Sequence, residues 1–194
     1  MTVFAAVFMD KNNRKTMAFQ EPCCIANKLP SLLRRKWWYA FQTNGDVTVE
    51  KFMSALSSMA GRDNNHLLLV IGKIDVPLLR VIRHYFDMGW LRSCSILTYC
   101  DDDKLIETEL IPYLDKITFG HHSRVFGGLI MFQGEEGTVV LSGMLENLPQ
   151  NLILPYTACY SECDPDIARD FCEPYESLLR IVNEEKRKKD EQSD

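Results

Sequence analysis

No stretch of the chain approaches the roughly 20 consecutive apolar residues needed to cross a bilayer. The apolar runs, such as Leu67 to Ile71 and Thr138 to Leu141, are far shorter. Residues 1–9 carry no basic leader ahead of a long apolar segment, so neither a membrane span nor a secretory signal is expected, and a cytoplasmic location is. Excess positive charge is also missing. A formal net charge of -5 and a pI near 5.4 exclude a surface wholly given over to nucleic acid. The seven cysteines are an odd number with no recognisable knuckle spacing, which favours reduced thiols over a disulfide framework. Internal repeats and low-complexity linkers are absent as well.

What is present is a chain of 194 residues, 46% of them hydrophobic, enough to bury a substantial core as one domain. Residues 37–43 are aromatic and strand-like, and Asn44-Gly45-Asp46 marks a turn. Thr48 can cap a helix on which Val49, Phe52, Met53, Leu56 and Met59 recur at helical spacing before Gly61. His66 to Ile71 reads as a buried strand, and Asp75 caps a second helix with Leu78, Leu79, Val81, Ile82, Tyr85 and Phe86 inward and Gly89 at its end. Leu91 to Tyr99 is a further strand. Asp101 or Asp102 opens a third helix ending near Leu114, and Ile117 to Gly120 begins the next strand.

This alternation predicts an α/β fold with a mixed, mostly parallel sheet flanked by helices. Val125 to Phe132 and Thr138 to Ser142 add a hairpin through Gly134-Glu135-Glu136-Gly137, expected at or beside the centre of the sheet. Leu152 to Tyr160 should be one more strand, with Pro155 placing it at an edge or a bend. Asp164-Pro165 starts a last helix that Pro174 should kink, and residues 184–194 form a charged, solvated tail. The expected organisation is an N-terminal extension at 1–36 with a possible strand at Val3 to Met9, a domain at 37–183, and the tail.

Four histidines differ by position. His66 opens a strand and His84 sits on a helix between Arg83 and Tyr85, so both are expected to be structural. His121 and His122 fall where a strand gives way to a hairpin, near the carboxyl ends of the sheet where ligands gather in open α/β folds. A structural role is the alternative. With Cys159 and Cys163 they could also form a zinc set, although no metal or cofactor is the expectation. Arg34, Arg35 and Lys36 beside Trp37 and Trp38 could meet a phosphate backbone and stack on bases, or simply lead into a buried strand.

His122-Ser123-Arg124, an apolar strand, a turn, then Ser142-Gly143-Met144-Leu145-Glu146 resembles the signature of the phospholipase D-like superfamily: H-x-K, an intervening strand and turn, then G-S-x-N. The order of Asn44-Gly45-Asp46, the following helix and Gly89-Trp90-Leu91-Arg92 is similar to that of its small single-copy members in phage and mobile elements. The resemblance covers roughly residues 37 to 182. It implies a phospholipase D-like half-domain acting without metal, in which His122 would be a nucleophile forming a phosphohistidine. Arg124 in the lysine position, with His121, Gly143 and Asn147, would hold phosphate oxygens, and two copies would meet as a homodimer to complete one site. Met144 stands where the family has serine and Glu146 where it has asparagine, so a degenerate active site is implied, one that binds DNA or RNA with weak or no catalysis. An active phosphodiesterase or nuclease, and a non-catalytic dimeric interaction protein, are the alternatives.

Overall fold

The computed structural model describes strands at 4–9, 14–19, 38–43 and 154–160, residues 53–143 apart from 55, 59, 124, 126, 127 and 136, and a helix at 165–191. The elements in order are β1 (Phe4–Met9), β2 (Arg14–Phe19), β3 (Trp38–Thr43), β4 (Asn65–Ile71), α1 (Val76–Asp87), β5 (Leu91–Thr98), α2 (Asp103–Glu109), a 3-10 turn (Ile111–Lys116), β6 (Ile117–His121), β7 (Gly128–Gly134), β8 (Gly137–Gly143), β9 (Leu154–Tyr160) and α3 (Pro165–Glu191). They form a nine-stranded sheet in the order β2-β1-β3-β9-β8-β7-β4-β5-β6.

The expected α/β fold, with a mixed sheet between helices, is present. Parallel neighbours occur at one end, where β4 pairs with β5 and β5 with β6. Elsewhere β1, β9 and β7 run against their neighbours, so β2, β3 and β8 share the direction of β4 without touching it. The β7–β8 hairpin lies in the middle of the sheet against β4, as its sequence pattern indicates.

Side-chain alternation explains the near-continuous apolar reading of β4. Leu67, Leu69 and Ile71 enter the core under α1, together with Ile96, Ile130, Phe132, Val139 and Leu141. Leu68 and Val70 enter the opposite core with Leu97, Leu129, Met131 and Val140, beneath Cys172 and Leu179 of α3. Both faces are covered, so polar positions have no place in mid-strand. The helix α1 begins where the Asp75 carboxylate accepts a hydrogen bond from the Leu78 N–H at 3.0 Å. It stops at Gly89, whose φ of 73° is left-handed.

Several boundaries differ from the sequence reading. The third helix ends at Glu109, and the rest of its expected length, which contains Pro112, winds as a 3-10 turn. β9 is not an edge strand: β3 and β8 flank it. Its Pro155 is tolerated because pairing with β8 starts only at Tyr156, leaving the proline beyond the ladder on that side. The last helix, with Pro174 inside it, continues to Glu191, so the expected charged tail from 184 is helical over most of its length. Among the described residues no helix is long and apolar enough to cross a membrane.

Candidate functional site

Register places the chemistry-bearing residues along one end of the sheet. Ile71 is level with Thr98 and Thr98 with His121, at the carboxyl ends of β4, β5 and β6. On the other side of β4, Gly128 opens β7 opposite Gly143, which closes β8. Both sequence motifs therefore reach the same end. His121 at the end of β6 and Gly143 at the end of β8 stand four strand positions apart, about 19 Å at the usual strand spacing. Residues 122–127 span the gap from β6 to β7, a connection that passes β5 and β4.

His122 starts that connection. Its backbone N–H donates to the Thr98 carbonyl at 2.9 Å, and its own carbonyl accepts from Val125 N–H at 3.1 Å. Val125 is buried in the core beneath α3, anchoring the connection. Arg124, Met144, Glu146, Asn147, Arg34, Arg35, Lys36 and Cys163 lie outside the described residues, as does Thr48.

His121 has acquired different neighbours. Its Nδ1 lies 3.4 Å from Asp101 Oδ1 and 3.4 Å from Asp103 Oδ2. The ammonium of Lys186 on α3 is 2.6 Å from the same Asp103 oxygen, donates to the Phe119 carbonyl at 3.3 Å and stands 4.7 Å above the Phe119 ring. Lys186 thus rounds the free edge of β6. Gly120 faces α3, and a Cβ there would meet Val182, so this glycine lets the helix sit close enough for Lys186 to reach across. The middle residue of the acidic run turns inward instead: Asp102 is buried and its Oδ2 accepts from the Ile74 N–H at 3.0 Å, tying the α2 entrance to the loop after β4.

The zinc set of Cys159 and Cys163 with His121 and His122 is excluded by topology, because β9 and β6 are five strand positions apart, about 24 Å. Among the described residues, Asp101, Asp103 and His121 form a group that could hold a metal ion, with donor atoms within 4.8 Å of one another. The sequence offered a signal in Asp101-Asp102-Asp103, but it reads as a helix cap, and its meeting with His121 and Lys186 depends on tertiary packing.

The other two histidines, expected to be structural, each have a neighbour at hand. His84 contacts Trp90 edge-on at 6.0 Å. His66 Nδ1 lies 2.8 Å from Ser93 Oγ on the adjacent strand. Burial, and secondarily the Arg92 charge, pushes the His66 pKa below its ordinary 6.5. The native state then binds fewer protons at this site than the unfolded chain. Its effect on stability is absent above about pH 6.5 and becomes a growing loss as pH falls through that value. In urea titrations from pH 8 to pH 5, His66→Gln should lose less stability than the wild type; equal pH slopes would remove His66 as a source of acid sensitivity.

No protein-family model matches the chain, and no curated protein matches it in sequence. The solved structures similar to this chain in fold include two. One is TrmBL2, an archaeal chromatin protein whose structure shows a novel mode of DNA binding, at 14% identity and a TM-score of 0.49 over 82% of this chain. The other is polyphosphate kinase from Porphyromonas gingivalis, at 14% identity and a TM-score of 0.49 over 92% of this chain. The chain spans 61% of the length of the first and 30% of the second.

Proposed function

We propose that the chain is a degenerate phospholipase D-like module that binds the phosphodiester backbone of DNA or RNA through the carboxyl end of its sheet, with little or no catalysis. The observation that carries this reading is the row arrangement. Attack on one phosphorus needs nucleophile and charge-stabilising donors within about 3 Å of a single group. A row running about 19 Å from His121 to Gly143 along one sheet end instead suits a polymer that touches it in succession. Asp101 and Asp103 beside His121 oppose a phosphate there. The phosphate contacts in this reading are therefore His122 and Arg124, with Gly143 farther along the row. A second copy, as the family resemblance implies, would double the row.

Arg124→Ala is the discriminating variant. In fluorescence titrations with labelled single-stranded DNA and RNA of two sequences, it should weaken binding uniformly and lower the salt slope by about one unit, because a phosphate contact carries no base information. Its melting temperature should stay near that of the wild type. If Arg124 instead pairs internally with a carboxylate such as Glu146, the substitution strands a buried charge at about 3–5 kcal/mol. A large melting shift with unchanged nucleic-acid binding would overturn the proposal.

A further inference from the structure

We infer that Asp101, Asp103 and His121 form a cation site whose resident cation is the chain's own Lys186 ammonium, and that a divalent metal ion of the zinc or manganese class binds there in exchange for it. The inference is independent of the phosphodiester reading.

Three observations carry it. The first is the donor set: two carboxylates and an imidazole are ligands that zinc and manganese accept. His121 Nδ1 lies 3.4 Å from one oxygen of each carboxylate, and the donor atoms all lie within 4.8 Å of one another, comparable to the span of about 4.4 Å that ligands about 2.0–2.2 Å from one ion can occupy. The second is that Asp103 Oδ1 and His121 Nδ1 are shielded from solvent, yet neither makes a hydrogen bond among the described residues. Buried polar atoms without hydrogen bonds are uncommon and call for an explanation. The third is that the cluster already holds a positive charge, with Lys186 Nζ at 2.6 Å from Asp103 Oδ2.

A lysine ammonium brings one charge and can leave on its flexible stem. A divalent ion brings two charges and would use the imidazole nitrogen, which the ammonium cannot bond while that nitrogen is protonated. The two cations compete for Asp103 Oδ2, so metal binding and the clasp of α3 on the edge of β6 exclude one another. Occupancy by metal would free Lys186 from Phe119 and loosen the end of α3.

The test is calorimetric titration with zinc chloride, repeated with manganese chloride, on the full chain. Lys186→Met removes the competing charge and should bind at least ten-fold tighter than the wild type, whereas Lys186→Arg should stay close to it. The double variant Asp103→Asn, Lys186→Met should lose the gain. Equal affinity of Lys186→Met and wild type, or tight binding that survives in the double variant, overturns the inference. Hydrogen exchange on the unmodified protein gives a second route if Lys186→Met does not fold. Saturating metal should speed exchange across residues 183–191, and unchanged or slower exchange there overturns the clasp-for-metal exchange.

Discussion

Replacing Phe132 with alanine should destabilise the protein by about 3–5 kcal/mol, the range for emptying a large aromatic site in a packed core. Phe132 is fully buried on β7, the strand that joins the parallel end of the sheet to the antiparallel part. Its ring lies 6.4 Å from that of Tyr85, which in turn meets Trp90 at 5.1 Å, so the cavity would open beneath α1 where three aromatic residues support one another. Urea unfolding should show a lower midpoint, and Phe132→Leu should recover much of the loss by refilling the space. A loss below about 1 kcal/mol for the alanine variant would mean that the site collapses around the missing ring.

Gly134→Ala should be comparably damaging, by about 3 kcal/mol or more, for the opposite reason. A Cβ at this position would run into the Ala60 carbonyl and the Asn65 side-chain oxygen. The first obstacle is backbone and cannot rotate away. Asn65 is itself held, its amide donating to the Gly61 carbonyl and, at 3.3 Å, to that of Trp90. Overpacking usually costs about 1–3 kcal/mol, and here it would also disturb the turn before β4. A thermal melt of Gly134→Ala checks this, with Gly89→Ala as the contrast: nothing lies within 4 Å of a Cβ there, so its cost is the left-handed backbone alone. A Gly134→Ala melt within a degree or two of the wild type would show that the segment from Ala60 to Asn65 yields to the added methyl.

The segment from β4 to β6 was legible because local signals agree with tertiary structure. Apolar runs stop at Gly72 and Gly89, Asp75 supplies a cap, and each helix has the period of its buried face. The strand order beyond it was not legible. Pro155 suggested an edge, yet β9 lies inside the sheet, since the decisive fact is where β8 begins to pair, which no local pattern encodes. For the candidate site, the sequence located His121 and His122 near the carboxyl end of the sheet, and β6 ends there. It did not show that His121 would face two carboxylates. Asp103 and Lys186 are far apart in the chain and meet only because α3 crosses β6 over Gly120.

The strand order also bears on how the chain is assembled as it leaves the ribosome. β4, β5 and β6 follow one another in sequence and pair in that order, so each closes a short crossover. β3 precedes β4 in sequence but is separated from it in the sheet by β9, β8 and β7. Thr43 finds its partner only when Leu154 has been made. During synthesis β1, β2 and β3 therefore emerge first and wait as an antiparallel sheet in the order β2-β1-β3, with the outer edge of β3 unpaired until the later half of the chain arrives. Exposed edges of that kind are where nascent chains associate wrongly. The central position of β7–β8–β9, which completes the sheet, is thus also the interval in which this protein most needs protection from its neighbours.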